Sequence, residues 1–131
     1  QYTDRFWTVI AARNARAMLD AGFTTVRNVG SDDLNDVGLK QAIDAGYAVG
    51  PRIVPAAYAL GATGGHCDET FLPPSMYSPP PSIGNGPDQL RARVREVRRM
   101  GAEVIKVCAT GGVFSRNTEP GQQQLRFEEM K

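Results

Sequence analysis

Cysteine, histidine, net charge and long apolar runs are all scarce in this 131-residue chain. Cys67 and Cys108 are too few for the disulfide framework of a small secreted scaffold, so a reducing compartment is compatible with them. The single histidine, His66, leaves a stand-alone zinc site short of ligands. A net charge of +1 makes no case for nucleic acid or an anionic membrane. No apolar run reaches spanning length and no signal-peptide pattern is present. The expectation is a cytoplasmic protein, although a targeting signal upstream would escape this reading. There is no Walker pattern, no full dinucleotide fingerprint and no close internal repeat.

What is present is an alternation of helix and strand. Thr3 or Asp4 caps a predicted helix running to about Asp20, which Gly22 ends. Phe23–Val29 reads as a strand. Ser31 or Asp32 caps a second helix carrying Leu34, Val37 and Ile43, with Gly46 at its stop. Arg52–Ala57 is a second strand, weakened by Pro55, which removes a ladder donor. Gly86-Pro87-Asp88 opens a third helix with a buried stripe of Leu90, Val94, Val97 and Met100, and Gly101 ends it. Three times a helix stops at glycine and a strand follows, which implies parallel βα units. Between them, residues 58–86 are rich in glycine and proline. A loop of that length after a strand suggests a functional segment at the C-terminal face of a parallel α/β fold.

Lys106 is the residue that most needs an explanation. It lies inside Glu103-Val104-Ile105-Lys106-Val107-Cys108-Ala109-Thr110, an apolar β-branched run that reads as a buried strand. An ionised lysine is costly in such a place unless it is paired or its pKa falls. Alternation puts Val104, Lys106 and Cys108 on one face and Ile105, Val107 and Ala109 on the other. The second set suits packing under helices, which turns Lys106 toward an interior. Three explanations are open: a salt bridge to a buried carboxylate, a Schiff-base nucleophile, or a carbamate whose two oxygens bridge divalent metals.

His66 sits in Gly61-Ala62-Thr63-Gly64-Gly65-His66-Cys67-Asp68-Glu69. Glycines there let backbone approach a ligand, and a histidine can ligate metal, bind a substrate oxygen or move a proton. A solvated loop histidine is the plainer alternative. Cys67 is a poor candidate nucleophile, because its neighbour His66 is badly placed to serve as base. The Thr110-Gly111-Gly112 turn is a weak candidate anion site. Arg91, Arg93, Arg95, Arg98 and Arg99 read as a solvated helix face, since no aromatic residues are interleaved for stacking. Arg27 and Asn28 are polar residues near a strand end.

Several of these segments, taken in order, resemble the amidohydrolase superfamily, in particular its imidazolonepropionase-like and Xaa-Pro dipeptidase-like branch. They are Leu19-Asp20-Ala21-Gly22-Phe23-Thr24-Thr25-Val26-Arg27-Asn28-Val29-Gly30, Gly50-Pro51-Arg52-Ile53, Thr63-Gly64-Gly65-His66, and Ile105-Lys106-Val107 with Gly111-Gly112-Val113. The resemblance implies a partial (β/α)8 TIM barrel of about three βα units, residues 1–131 covering approximately strands two to four. It implies that Lys106 is the carboxylated lysine bridging two divalent ions, zinc foremost, and that the catalytic His66 contacts substrate or the tetrahedral intermediate. It implies hydrolysis of amide or cyclic amide bonds by a metal-bound hydroxide, on a dipeptide, an N-acyl amino acid or an imidazolone. The family's His-x-His pair would lie before Gln1, and two later histidines and an aspartate beyond Lys131. Cys67 stands where a small residue is more usual.

On this reading the isolated chain is inactive and prone to self-association. Phe71, Met76 and Tyr77 are expected as apolar walls of the pocket. The reading from a different class is a non-catalytic open α/β module that binds a small ligand, with a phosphate at the Thr110–Gly112 turn.

Overall fold

The computed structural model describes residues 2–131. The chain divides into two compact units. The first comprises residues up to Tyr58 together with Val97–Val104, and the second comprises Ala59–Glu96 with Ile105–Lys131.

In the first unit, helix α1 (Asp4–Asp20) is followed by strand β1 (Thr25–Arg27), helix α2 (Asn35–Asp44) and strand β2 (Arg52–Val54). β1 and β2 pair in parallel, with Val26 opposite Ile53. With α2 as the crossover, they form a βαβ unit. Both strands are shorter than the sequence suggests. Pro51 and Pro55 bracket β2 and supply no N–H to a ladder. At the end of β1, Asn28 turns its Oδ1 onto the Gly30 N–H at 2.8 Å, which starts a turn. Single backbone bonds still extend the pairing on either side, Arg52 N–H to Thr24 O at 2.9 Å and Asn28 N–H to Val54 O at 3.0 Å.

The second helix also starts later than expected. Ser31 precedes a 3-10 turn (Asp32–Leu34), and Asp33 and Leu34 have φ of 50° and 58° before α2 begins.

The glycine stops share one hydrogen-bond pattern. After α1, Gly22 N–H donates to Leu19 O at 2.9 Å and Phe23 N–H to Met18 O at 3.0 Å. After α2, Gly46 bonds Ile43 and Tyr47 bonds Ala42 in the same way. After α3 (Pro87–Met100), Gly101 bonds Arg98 and Ala102 bonds Val97. This is the Schellman closure, which places the residue after the cap in the left-handed region that glycine enters without a Cβ penalty. Gly22, Gly46 and Gly101 have φ of 96°, 79° and 115°.

In the second unit the long loop is not structureless. Leu60 and Gly61 form a short parallel core, Gly61 bridging Ile83 and Leu60 bridging Val107. A 3-10 turn covers Pro74–Met76, and a final helical turn, α4, covers Phe127–Met130. The expected strand through Lys106 is reduced to bridges at Val107 and Thr110. Its partner runs out: immediately after Gly61 the chain turns, with Gly65 N–H bonded to Ala62 O. The expected alternation of faces is therefore incomplete. Cys108 is buried, while Lys106 and its neighbours Ile105 and Val107 are half-buried. Leu60 and Leu125 are the largest buried side chains of this unit.

Candidate active site

The loop that carries His66 is built around a buried carboxylate. Asp68 Oδ2 accepts the Gly64 N–H at 2.7 Å and Oδ1 accepts the Glu69 N–H at 2.9 Å. The Tyr77 hydroxyl donates to the same carboxylate at 3.0 and 3.1 Å. Burial, then the hydrogen bond and charge of Asp68, push the Tyr77 phenol above its ordinary pKa. Tyr77 thus braces the loop through its hydroxyl. Phe71 and Met76, the other two expected walls, are exposed. Asn85 adds a second brace, its Oδ1 taking the Thr63 N–H and its amide donating to Thr63 Oγ1.

His66 itself is held at three points. Its backbone N–H donates to Gln124 Oε1 at 2.8 Å. Its ring Nδ1 lies 2.5 Å from Ser115 Oγ, and that hydroxyl also reaches the His66 carbonyl at 3.3 Å. The ring passes over Gly112, where a Cβ would lie 2.2 Å from Nδ1. Glycine at 112 is therefore a requirement of the histidine's position. The same turn is not an open anion cradle. Gly111 N–H is bonded to Gln122 O at 2.9 Å and Gly112 N–H to Thr118 Oγ1 at 3.3 Å.

Lys106 is fixed through its backbone. Its carbonyl accepts the Leu60 N–H at 2.8 Å, and Cys108 N–H returns to Leu60 O at 2.8 Å. Among the described residues the ion pairs involve Arg16, Lys40, Arg91 and Arg93, and none reaches the Lys106 amine. A salt bridge within these residues therefore does not account for it. The basic helix face resolves into local pairs, Arg91 with Asp88 and Arg93 with Glu96.

Cys67 and Cys108 are joined in a disulfide, with Cα atoms 6.0 Å apart. The pairing removes Cys67 as a nucleophile. Gly61 makes room for it, since a Cβ there would lie 3.0 Å from Cys67 Cβ. Cys67 follows His66 and Cys108 lies two residues past Lys106, so the link ties the histidine loop to the lysine segment. Among the described residues no group of three or more His, Cys, Asp or Glu converges as a metal site.

Residues 2–131 match the model of the Amidohydrolase family. The chain belongs to that family. It is 35% identical to ochratoxinase of Aspergillus niger over 137 aligned residues, covering 92% of this chain and 28% of that protein. Among solved structures, a Xaa-Pro dipeptidase with bound methionine in its active site superposes with a TM-score of 0.90 at 35% identity, over 98% of this chain and 33% of that one. A prolidase complexed with N-methylphosphonate-L-proline gives 0.83 at 32% identity, over 98% and 33%. The chain thus spans about a third of the length of these relatives.

Sequence reasoning singled out Lys106, His66 and the glycine pair at 111–112. It did not find Ser115, Gln124 or Asp68, which hold His66 and its loop. Nothing in a lone serine or glutamine 49 or 58 residues from the histidine announces such a role. The one signal available was Asp68 close behind His66 in a glycine-rich turn, where short acidic side chains bond nearby backbone.

Proposed function

We propose that residues 1–131 are the part of a (β/α)8 barrel around its second to fourth strands, in a metal-dependent hydrolase of amide bonds. Family membership supports the reaction class. The observation that carries the site is the covalent and hydrogen-bonded junction at Leu60, Cys67 and Cys108, which joins the His66 loop to the Lys106 segment. In this reading Lys106, as its carbamate, would help to hold divalent metal, zinc by preference. Such metal, when bound, would acidify a water enough for it to attack a carbonyl near neutral pH.

The chain's own contributions are narrower. Lys106 offers an amine that no carboxylate of the described residues neutralises. His66 offers a ring pinned on one nitrogen, with the other directed to substrate. The Asp68–Tyr77 brace holds the loop against the pull of binding. The substrate class is a small dipeptide or N-acyl amino acid, in keeping with the prolidase, dipeptidase and ochratoxinase relatives. The internal bonding of Gly111 and Gly112 speaks against the phosphate-binding module.

The test is Lys106→Ala in the complete protein. It should lose bound metal and nearly all turnover. Unchanged metal content and turnover would remove Lys106 from the site.

A further inference from the structure

We propose that Ser115 is a positioning residue that holds the His66 ring in one orientation and one tautomer, with Nε2 the nitrogen that meets the substrate. The inference rests on the catalytic placement of His66 proposed above. It comes from one hydroxyl that touches both the ring and the backbone of the same histidine. A serine hydroxyl has one proton to donate and lone pairs to accept with. Ser115 Oγ makes two contacts with the same histidine, the carbonyl oxygen at 3.3 Å and ring Nδ1 at 2.5 Å. The 2.5 Å contact is much the shorter, so it is the bond that governs the ring. Whichever group donates in it, Nδ1 is engaged and Nε2 is the ring nitrogen left for the substrate.

The surroundings hold this arrangement in place. Gly112 leaves no side chain beneath the ring, and Gln124 Oε1 takes the His66 backbone N–H at 2.8 Å. Gln124 is anchored in turn, its N–H donating to Ala109 O at 2.8 Å. The ring is therefore held in one orientation, and a partner on one nitrogen of a histidine generally fixes the tautomer as well.

The experiment uses the complete protein and reads the ring directly. Nitrogen-15 spectra, with the His66 signals identified by their loss in His66→Gln, should show neutral His66 as a single tautomer. Ser115→Ala should move the neutral ring toward a mixture of tautomers and lower kcat/KM by up to about 100-fold, the scale set by a small misplacement of a catalytic group. Ser115→Thr, which keeps the hydroxyl, should restore both. In a His66→Gln background, Ser115→Ala should change nothing further.

A wild-type ring present as a mixture of tautomers would overturn the proposal. So would Ser115→Ala and His66→Gln effects that multiply independently. If Ser115→Ala does not fold, the wild-type spectrum and Ser115→Thr decide the question. The underlying reading fails separately, in full turnover by His66→Gln.

Discussion

Asp36 Oδ2 accepts the backbone N–H of Ala57 at 2.9 Å, across 21 residues of sequence. Ala57 is fully buried and has φ of 58°, a conformation uncommon outside glycine. The same oxygen takes the Ala56 N–H at 3.0 Å, and Oδ1 takes the Val37 N–H at 2.8 Å. One carboxylate at the start of α2 thus holds the turn that leaves β2. Removing it strands two buried donors, each at a cost of about 1–3 kcal/mol. Asp36→Ala should therefore destabilise the first unit by several kcal/mol in urea unfolding. Asp36→Asn, which keeps one acceptor oxygen, should lose less. Equal stability of Asp36→Ala and wild type would show that the turn holds itself.

Gly112→Ala should separate activity from stability. The added Cβ would lie 2.2 Å from His66 Nδ1, so the ring must move. Misplacement of a catalytic group by about 1 Å can cost about 100-fold in rate. In the complete protein kcat/KM should fall on that order, while the thermal midpoint stays close to wild type, since the half-buried site sits beside an exposed loop. A fall in midpoint with intact activity would reverse this picture.

The Cys67–Cys108 link closes a loop of 41 residues. The chain-entropy relation assigns about 4 kcal/mol to a closure of that length. Cys67→Ser, or a dithiol reductant on wild type, should lower the urea midpoint accordingly, with no further loss when both are applied. Thiol counting on unfolded, unreduced protein should find neither cysteine of this chain free. Two reactive thiols per chain would contradict the link.

Glu129 gives a pH dependence of definite sign. Its carboxylate accepts the Arg126 N–H at 2.7 Å and the Gly86 N–H at 2.9 Å, and these bonds hold its pKa below the ordinary value of 4.5. A lowered folded pKa contributes stability that is present above the unfolded value and lost as pH falls through the folded one. Glu129→Gln should therefore be less stable than wild type near neutrality, and the gap should close in acid below about pH 4. A gap that persists or widens in acid would assign Glu129 a role other than its charge.

The 131-residue chain by itself should not hydrolyse amides in the presence of zinc. Catalytic zinc takes about three protein ligands and keeps one position open, and among the described residues no such cluster forms. Metal-dependent turnover by the purified chain would mean that the site is complete within it.

Periodicity and glycine placement carried the helices. Gly22, Gly46 and Gly101 each stand at the cap position that ends a helix, and a strong local preference of that kind survives in any surroundings. The strand through Lys106 was legible as a composition but not as a ladder, because a ladder depends on how far its neighbour Leu60–Gly61 runs before turning. Lys106 and His66 stood out because each violates its local context, a charge in an apolar run and a lone imidazole among glycines. The groups that hold them did not. Ser115 and Gln124 are ordinary loop residues until folding brings them to His66. Tyr77 was read for its ring, and the fold uses its hydroxyl.

The disulfide has one more consequence, for how the chain comes apart. The proline-rich stretch at 73–81 lies wholly between Cys67 and Cys108, and most of it is exposed. Exposed loops of this kind are where proteases cut. A nick there leaves both halves covalently joined. The cut protein would migrate as one piece on a gel until a thiol is added, and only then as two.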